Sequence, residues 1–477
     1  MTPSGNAQVG TGEARRVPVA PLNATGDGPP PAINMSLGGF LLLFVASRLL
    51  YLVLIHPNYL SPQLSDELYI GTIAQELVTG LTVPFAEYRA TNYMLGTLVM
   101  GGLASGFFLL FGPTIFALKL APLLASTLTL LFWYWTIERA AGARVTGCFA
   151  LLFCFSPPLL TAYSVAALGD NSQSLVFSAL TVFLLFRMLS DEEPSLVYPL
   201  LLGLIAGVGL WFCYTYGLTL LTTLGFWFWY DKRRFWTDRV LWFALGFFVG
   251  FFPWIMINTQ TDFVGLVVQR ATVWEHFGLA HLWDGLAHPR KLAPYEFFAD
   301  IASDDPRDLP RRAVNLLYSL LYLSPILTAG VLRLKMGRSD TAGVNDRGRG
   351  PRETGPSLTH PTQPTLVGFA ILYLVVFALA VQFSDFKATR YHLPAYPFLF
   401  FLVVHSLARC QDLVPLGQRK TKTAFLASAV LLALGTHVPL LSLDRPGFAL
   451  SAKGYSYAFL PWNYLHTHAP AATNLPL

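Results

Sequence analysis

Apolar runs recur along the chain near 37–56, 92–111, 114–137, 145–166, 173–189, 197–213, 215–230, 240–258, 313–332, 366–383, 391–408 and 423–441. Most approach the ~20 residues that a helix needs to span a bilayer, so the pattern predicts an all-α polytopic membrane protein. Between the first two runs lies a different element, LSDELYIGTIAQELVTG (64–80). Its apolar positions Ile70, Ile73, Ala74 and Leu77 follow a helical period, Ser65 fits an N-cap and Gly80 a stop. Asp66 and Glu67 fall in the first turn, where carboxylates complement the helix dipole. Asp66 also precedes Ile70 by one turn and shares the apolar face, which a cap alone does not require. Farther on, YTYGLT (214–219) interrupts an apolar run too long for one helix and predicts a tight hairpin.

The polar segments constrain the topology. If all twelve runs cross from a cytoplasmic amino terminus, DKRRFWTDR (231–239), the Arg-rich 333–365 stretch and GQRKTK (417–422) all fall outside, against the positive-inside tendency. Treating the Gly-rich 92–111 run as a hairpin or outer juxtamembrane helix reverses every later segment. Those three loops then become cytoplasmic with ERAAGAR (138–144), leaving about eleven transmembrane helices. The same change gathers Asp66 and Glu67, LGDN (168–171), the 259–312 loop and FKATRY (386–391) on the outer face. The expected organisation is a disordered cytoplasmic tail (1–36), a membrane module (37–332) with outer loops 57–113 and 259–312, a cytoplasmic linker (333–365), further membrane helices (366–441) and an extracytoplasmic tail (442–477).

Composition narrows the classes. The chain has 477 residues, of which 54% are hydrophobic and 12% charged, a balance suited to a bilayer rather than to a soluble domain. Its net charge of +5 is concentrated in a few loops, so topology rather than a nucleic-acid partner accounts for it. Cys148, Cys154, Cys213 and Cys410 lie in or beside apolar runs without a CxxC, so no disulfide or zinc framework is implied.

An ionised carboxylate at the edge of an apolar region is costly unless it is used or paired, which singles out Asp66 and, beside it, Glu67. Asp170 opens DNSQ, where Gln three residues later also fits a capping box. Among the cations, Arg89, Lys387 and Arg390 stand at the expected outer boundary, where guanidinium groups can hold phosphate oxygens in a bidentate manner. The spacing of His276, His281 and His288 matches no ligand motif, and the acids form no DxD, so neither a metal nor another cofactor is expected.

Three stretches together, SDELYIGTIAQELVTG, FSPPLLTAYSVAALGDNSQSLVF (155–177) and RYHLPAYPFLFFL (390–402), resemble the C-type glycosyltransferase superfamily. The likeness is to protein O-mannosyltransferases and the bacterial lipid A aminoarabinose transferases. It implies a catalytic acidic position at Asp66 with Glu67 as its neighbour, Asp170 as the second-loop acid, and Arg390-Tyr391 bordering the site. It also implies a polyprenyl-phosphate sugar donor, a lipid, glycan or protein acceptor, and a multi-pass bacterial plasma-membrane location with the site extracytoplasmic. Where aminoarabinose transferases carry Lys-Pro-Pro, this chain has Arg89-Ala90-Thr91. Two other classes compete: a secondary transporter, which calls for internal repeats and midplane charges, and a non-catalytic polytopic protein, which leaves Asp66 without a role.

Overall fold

The computed structural model describes residues 35–54, 64–84, 88, 95–191, 195–260, 315–327, 365–383 and 389–413, with 263, 281, 283, 312, 313 and 330. The expected amino-terminal tail, the 333–365 linker, most of the 259–312 loop, the 423–441 run and the carboxyl-terminal tail lie outside these residues, wholly or nearly so. Among the described residues the regular structure is entirely helical. The helices are α1 (Leu37–Leu54), α2 (Leu64–Thr79), α3 (Gly96–Phe111), α4 (Ile115–Cys154), α5 (Pro158–Tyr163), α6 (Leu175–Ser190) and α7 (Val197–Phe212). They continue with α8 (Gly217–Tyr230), α9 (Lys232–Phe235), α10 (Asp238–Thr259), α11 (Asn315–Leu327), α12 (Leu366–Phe383) and α13 (Tyr396–Leu413). The expected hairpin at 214–219 is a single 3-10 turn, Tyr214–Tyr216, leading directly into α8.

Two punctuation residues divide the long 115–163 region. Thr114 starts α4 by accepting the Ala117 N–H at 3.1 Å through its hydroxyl. The helical course then breaks only at Gly142, whose φ of +80° is open to glycine and strained for other residues. ERAAGAR is therefore a one-residue corner between two helical segments. The second segment stops at Cys154, earlier than its apolar run suggested. Prolines explain the stop: the carbonyls of Phe153 and Cys154 would take N–H groups from residues 157 and 158, which are both Pro.

Arg48 of α1 fills that gap. Its guanidinium is fully buried and donates to Cys154 O (2.8 Å), Phe153 O (3.2 Å), Ser156 Oγ (2.7 Å), Ser164 Oγ (2.8 Å) and Ser47 Oγ (3.2 Å). Ser47 Oγ adds a hydrogen bond to Cys154 O at 3.0 Å. A cation at a helix carboxyl end is electrostatically favoured, so α1 supplies the C-cap that the α4 sequence cannot make for itself.

The helices α7 and α10 pack in parallel through four glycines. A Cβ on Gly203 would lie 1.9 Å from Phe243 O, and one on Gly207 2.3 Å from Phe247 O. From the other side, Gly246 and Gly250 would meet Leu200 O and Leu204 O at 2.1 and 2.2 Å. The spacing of four residues on both helices lets the backbones touch along successive turns, a close-packing mode common among membrane helices. Around them runs an aromatic core: Phe226 meets Phe369 edge-on, Tyr373 stacks on Phe398, and Phe398 meets Trp133 edge-on, joining α8, α12, α13 and α4.

The placement of α3 bears on the crossing count. Ser126 of α4 donates to Ser164 O at 3.0 Å, while Lys119, two turns nearer the start of α4, joins Ala167 through Glu67. The 164–167 segment therefore runs along α4 toward its amino-terminal end, and Gly169 follows two residues later. Gly96, at the start of α3, packs backbone to backbone on Gly169, where a Cβ would come within 2.0 Å of the carbonyl oxygen. The far end of α3 leads through Gly112 into α4. Both ends of α3 thus lie at one end of the bundle, as a juxtamembrane helix requires. That end, which also carries α2, is called the α2 end; the opposite one, at Gly142, carries Arg139, Arg144, Arg187, Lys232 and Arg239.

Candidate active site

The α2 helix begins at Leu64, so Ser65 falls within its first turn rather than at the expected cap. It stops at Gly80, whose φ is +125° and whose N–H reaches Glu76 O at 2.9 Å. Ile70, Ile73 and Ala74 are fully buried and Leu77 packs beside them, as the helical period implied. Gly101 of α3 sits against Ile73, where an added Cβ would come within 2.4 Å of its side chain, so α2 and α3 form one closely packed platform. At the far end of α2, buried Glu76 accepts the hydroxyls of Thr82 (2.5 Å) and Tyr88, tying the following segment back to the helix.

Glu67 stands at the other end, 1% exposed, with both carboxylate oxygens 2.6 Å from Lys119 Nζ. Lys119 is itself only 2% exposed. The same carboxylate accepts the Ala167 N–H at 3.0 Å. Three segments distant in sequence therefore meet on one side chain. Glu67 was an expected catalytic neighbour of Asp66; in the structure its lone pairs are committed to a cation and a backbone amide. Lys119 was not among the expected site residues. Its signal was a single ionisable residue in the apolar run 114–137, which in a membrane protein marks function or pairing.

Three residues after Ala167, Asp170 is 6% exposed. Its Oδ1 accepts the Ser172 N–H at 3.4 Å, and its carbonyl accepts the Ser174 N–H at 2.9 Å. Gln173 reaches back, accepting the N–H groups of Gly169 (3.1 Å) and Asp170 (3.4 Å) while donating to Ala166 O at 2.7 Å, but α6 begins only at Leu175, so this exchange closes a turn and Asp170 is not the expected helix cap. Asn171 Oδ1 receives the Thr215 hydroxyl and, at 3.6 Å, the Cys213 thiol. The structure brings together Glu67, Lys119 and the LGDN segment, and joins the latter to the Cys213–Thr215 turn.

Asp66 lies in the first turn of α2, adjacent to Glu67. Its side chain, the residues Arg89 and Lys387, and the Arg390 side chain lie outside the described residues. Arg390 and Tyr391 belong to the 3-10 segment Thr389–Ala395 that leads into α13, and Tyr391 is half-buried. His392, in the same segment, meets Phe377 of α12 edge-on. Among the described residues no three His, Cys, Asp or Glu are grouped to hold a metal ion.

Residues 96–257 match the family model described as dolichyl-phosphate-mannose-protein mannosyltransferase. The matched stretch runs from α3 to α10 and contains Lys119, Ala167 and Asp170; α2 precedes it. The resemblance read in the sequence thus holds over this stretch. No curated protein matches the chain. Among solved structures, ArnT from Cupriavidus metallidurans in the apo state is similar at 15% identity and a TM-score of 0.47, over 85% of this chain and 76% of that one. ArnT from the same organism bound to undecaprenyl phosphate gives 15% identity and a TM-score of 0.48, over 85% and 77% of the two chains.

Proposed function

We propose that this chain is an integral membrane glycosyltransferase that moves a sugar from a polyprenyl-phosphate donor to an extracytoplasmic lipid, glycan or protein acceptor, with inversion. The observation that carries the reading is the meeting of the acidic first turn of α2 with α4 and the Asp170 segment at one end of an apolar bundle. The match of 96–257 to a lipid-phosphate mannosyltransferase family supports the same chemistry. The basic Gly142 end is cytoplasmic on the positive-inside tendency, which leaves the α2 end outside.

In this reaction the acceptor hydroxyl oxygen attacks the anomeric carbon, the bond from that carbon to the phosphate oxygen breaks, and the phosphate leaves with the bonding electrons. Asp66 is the base that takes the hydroxyl proton, a role suited to a carboxylate at the acceptor side. Glu67 has less capacity for it, being engaged by Lys119 and Ala167. Arg390, with Arg89, Lys387 and Tyr391, forms the phosphate side, where cationic donors offset the charge that develops on the leaving group. The polyprenyl tail lies among the apolar helices.

The test is transfer by purified protein from a panel of polyprenyl-phosphate sugars. Transfer from at least one donor is expected, with Arg390→Ala impairing donor use more than Arg390→Lys, since Lys keeps charge without the planar fork. Absence of transfer from every donor in the panel would overturn the reading.

A further inference from the structure

The Glu67–Lys119 pair stands beside the proposed base and takes no part in the bond-breaking steps. An ion pair removed from water is an expensive way to hold two helices together, since an apolar pair of similar volume commonly does as well or better. What an ion pair adds is registry. Here Lys119 Nζ is 2.6 Å from each Glu67 oxygen, and the third partner, the Ala167 N–H, sits 3.0 Å from Oε1. The partners of Glu67 come from 52 and 100 residues farther along the chain, so α2 is located in two directions by its fourth residue. Ala167 in turn leads to Gly169, where α3 begins its backbone contact, and to Asp170.

The geometry points to Lys119 as a positioning residue: acting through Glu67, it fixes the first turn of α2 against α4 and the 164–170 segment, and so holds Asp66 at the acceptor. Of the two adjacent acids, one is thereby spent as an anchor so that the other is placed for proton transfer. The inference rests on the proposed role of Asp66, and it assigns Glu67 and Lys119 no contact with substrate.

Positioning differs from plain structural support in its kinetic signature, because a misplacement of about 1 Å can cost roughly 10²-fold in the chemical step. Lys119→Met is expected to lower kcat about that much, with KM for the lipid donor within about threefold of wild type, and Lys119→Arg is expected to recover much of the loss. Should Lys119→Met fail to fold, Glu67→Gln with Lys119→Met removes both charges while the amide oxygen still accepts the Ala167 N–H. That double variant should match wild type in thermal stability to within a few degrees and still turn over at least about tenfold more slowly. Turnover of a stability-matched double variant within threefold of wild type overturns the inference, even where Asp66→Asn is inactive and the functional reading stands. If wild type transfers no sugar, hydrogen exchange decides it: without the pair, peptides covering 64–79 should exchange at least about tenfold faster while those of α7 and α10 do not change. Unaltered exchange in α2 would overturn the anchoring itself.

Discussion

Glu67 is buried against Lys119 and Ala167, and its sequence neighbour Asp66 is the residue proposed as base. Both were legible as candidates, because two carboxylates at the head of an amphipathic helix in so apolar a chain demand an account. The pairing of Glu67 was not legible, since it depends on Lys119 and Ala167, which reach Glu67 only through the fold. Asp170 illustrates the converse in part: the DNSQ pattern suggested a capping box, and Gln173 does reach back to the Asp170 N–H, but the exchange closes a turn ahead of α6. As a prediction, Asp66→Asn should leave folding intact but lower turnover roughly 10²–10⁴-fold, since an amide cannot take the acceptor proton. Asp170→Asn should cost less, because Asn can still accept the Ser172 N–H. Sugar transfer at matched thermal stability checks both, and an Asp66→Asn enzyme within a few-fold of wild type would remove the base assignment.

Among the elements, most apolar runs correspond to helices within a few residues, because hydrophobic length governs both. The exceptions have local causes. The second half of α4 ends early because Pro157 and Pro158 withhold two N–H groups, and the corner at 142 is one residue long because glycine admits its φ. Arg48, in the first apolar run, carries no sequence signal as a donor to the freed carbonyls, because Phe153 O and Cys154 O lie more than a hundred residues away. The glycines of α7 and α10 were visible in the sequence, but which helices they join was not. Arg48→Lys is predicted to destabilise the protein despite conserving charge, because one ammonium cannot serve two carbonyls and three hydroxyls held by a planar fork. Each buried acceptor left without a donor costs about 1–3 kcal/mol. A thermal midpoint in detergent equal to wild type would show that the carbonyls find other donors.

For the whole molecule, charge parity along the chain calls for a 92–111 run that does not cross, and the contacts of α3 are compatible with that topology. The first asks where basic loops fall; the second follows Ser164 and Ala167 along α4, and then Gly169 to the start of α3. Labelling tests the sidedness. Single cysteines at Leu81 or Thr82, in a background lacking the native cysteines, are predicted to react in intact cells with a membrane-impermeant maleimide. Those at Ala143 or Lys232 should react only after permeabilisation. Labelling of Lys232→Cys in intact cells would reverse the orientation and move the proposed site to the cytoplasm.

The corner where α3 turns into α4 presents Leu109, Leu110 and Phe111 at 71%, 75% and 57% exposure, with Phe116 beside them. In a bilayer these side chains act as a keel under the α2–α3 platform, since lifting them into water is unfavourable by about 25 cal/mol for each Å² exposed. The platform then has a waterline, and under the proposed reaction the bilayer rather than the protein would set the height of the donor's phosphate. A bilayer thicker or thinner than the keel expects would then carry that phosphate past the proposed base. Turnover in nanodiscs should therefore peak at one acyl length, and replacing Leu109, Leu110 and Phe111 together by Ser should shift or flatten the peak. A wild-type rate indifferent to acyl length would mean that donor and platform rise and fall together.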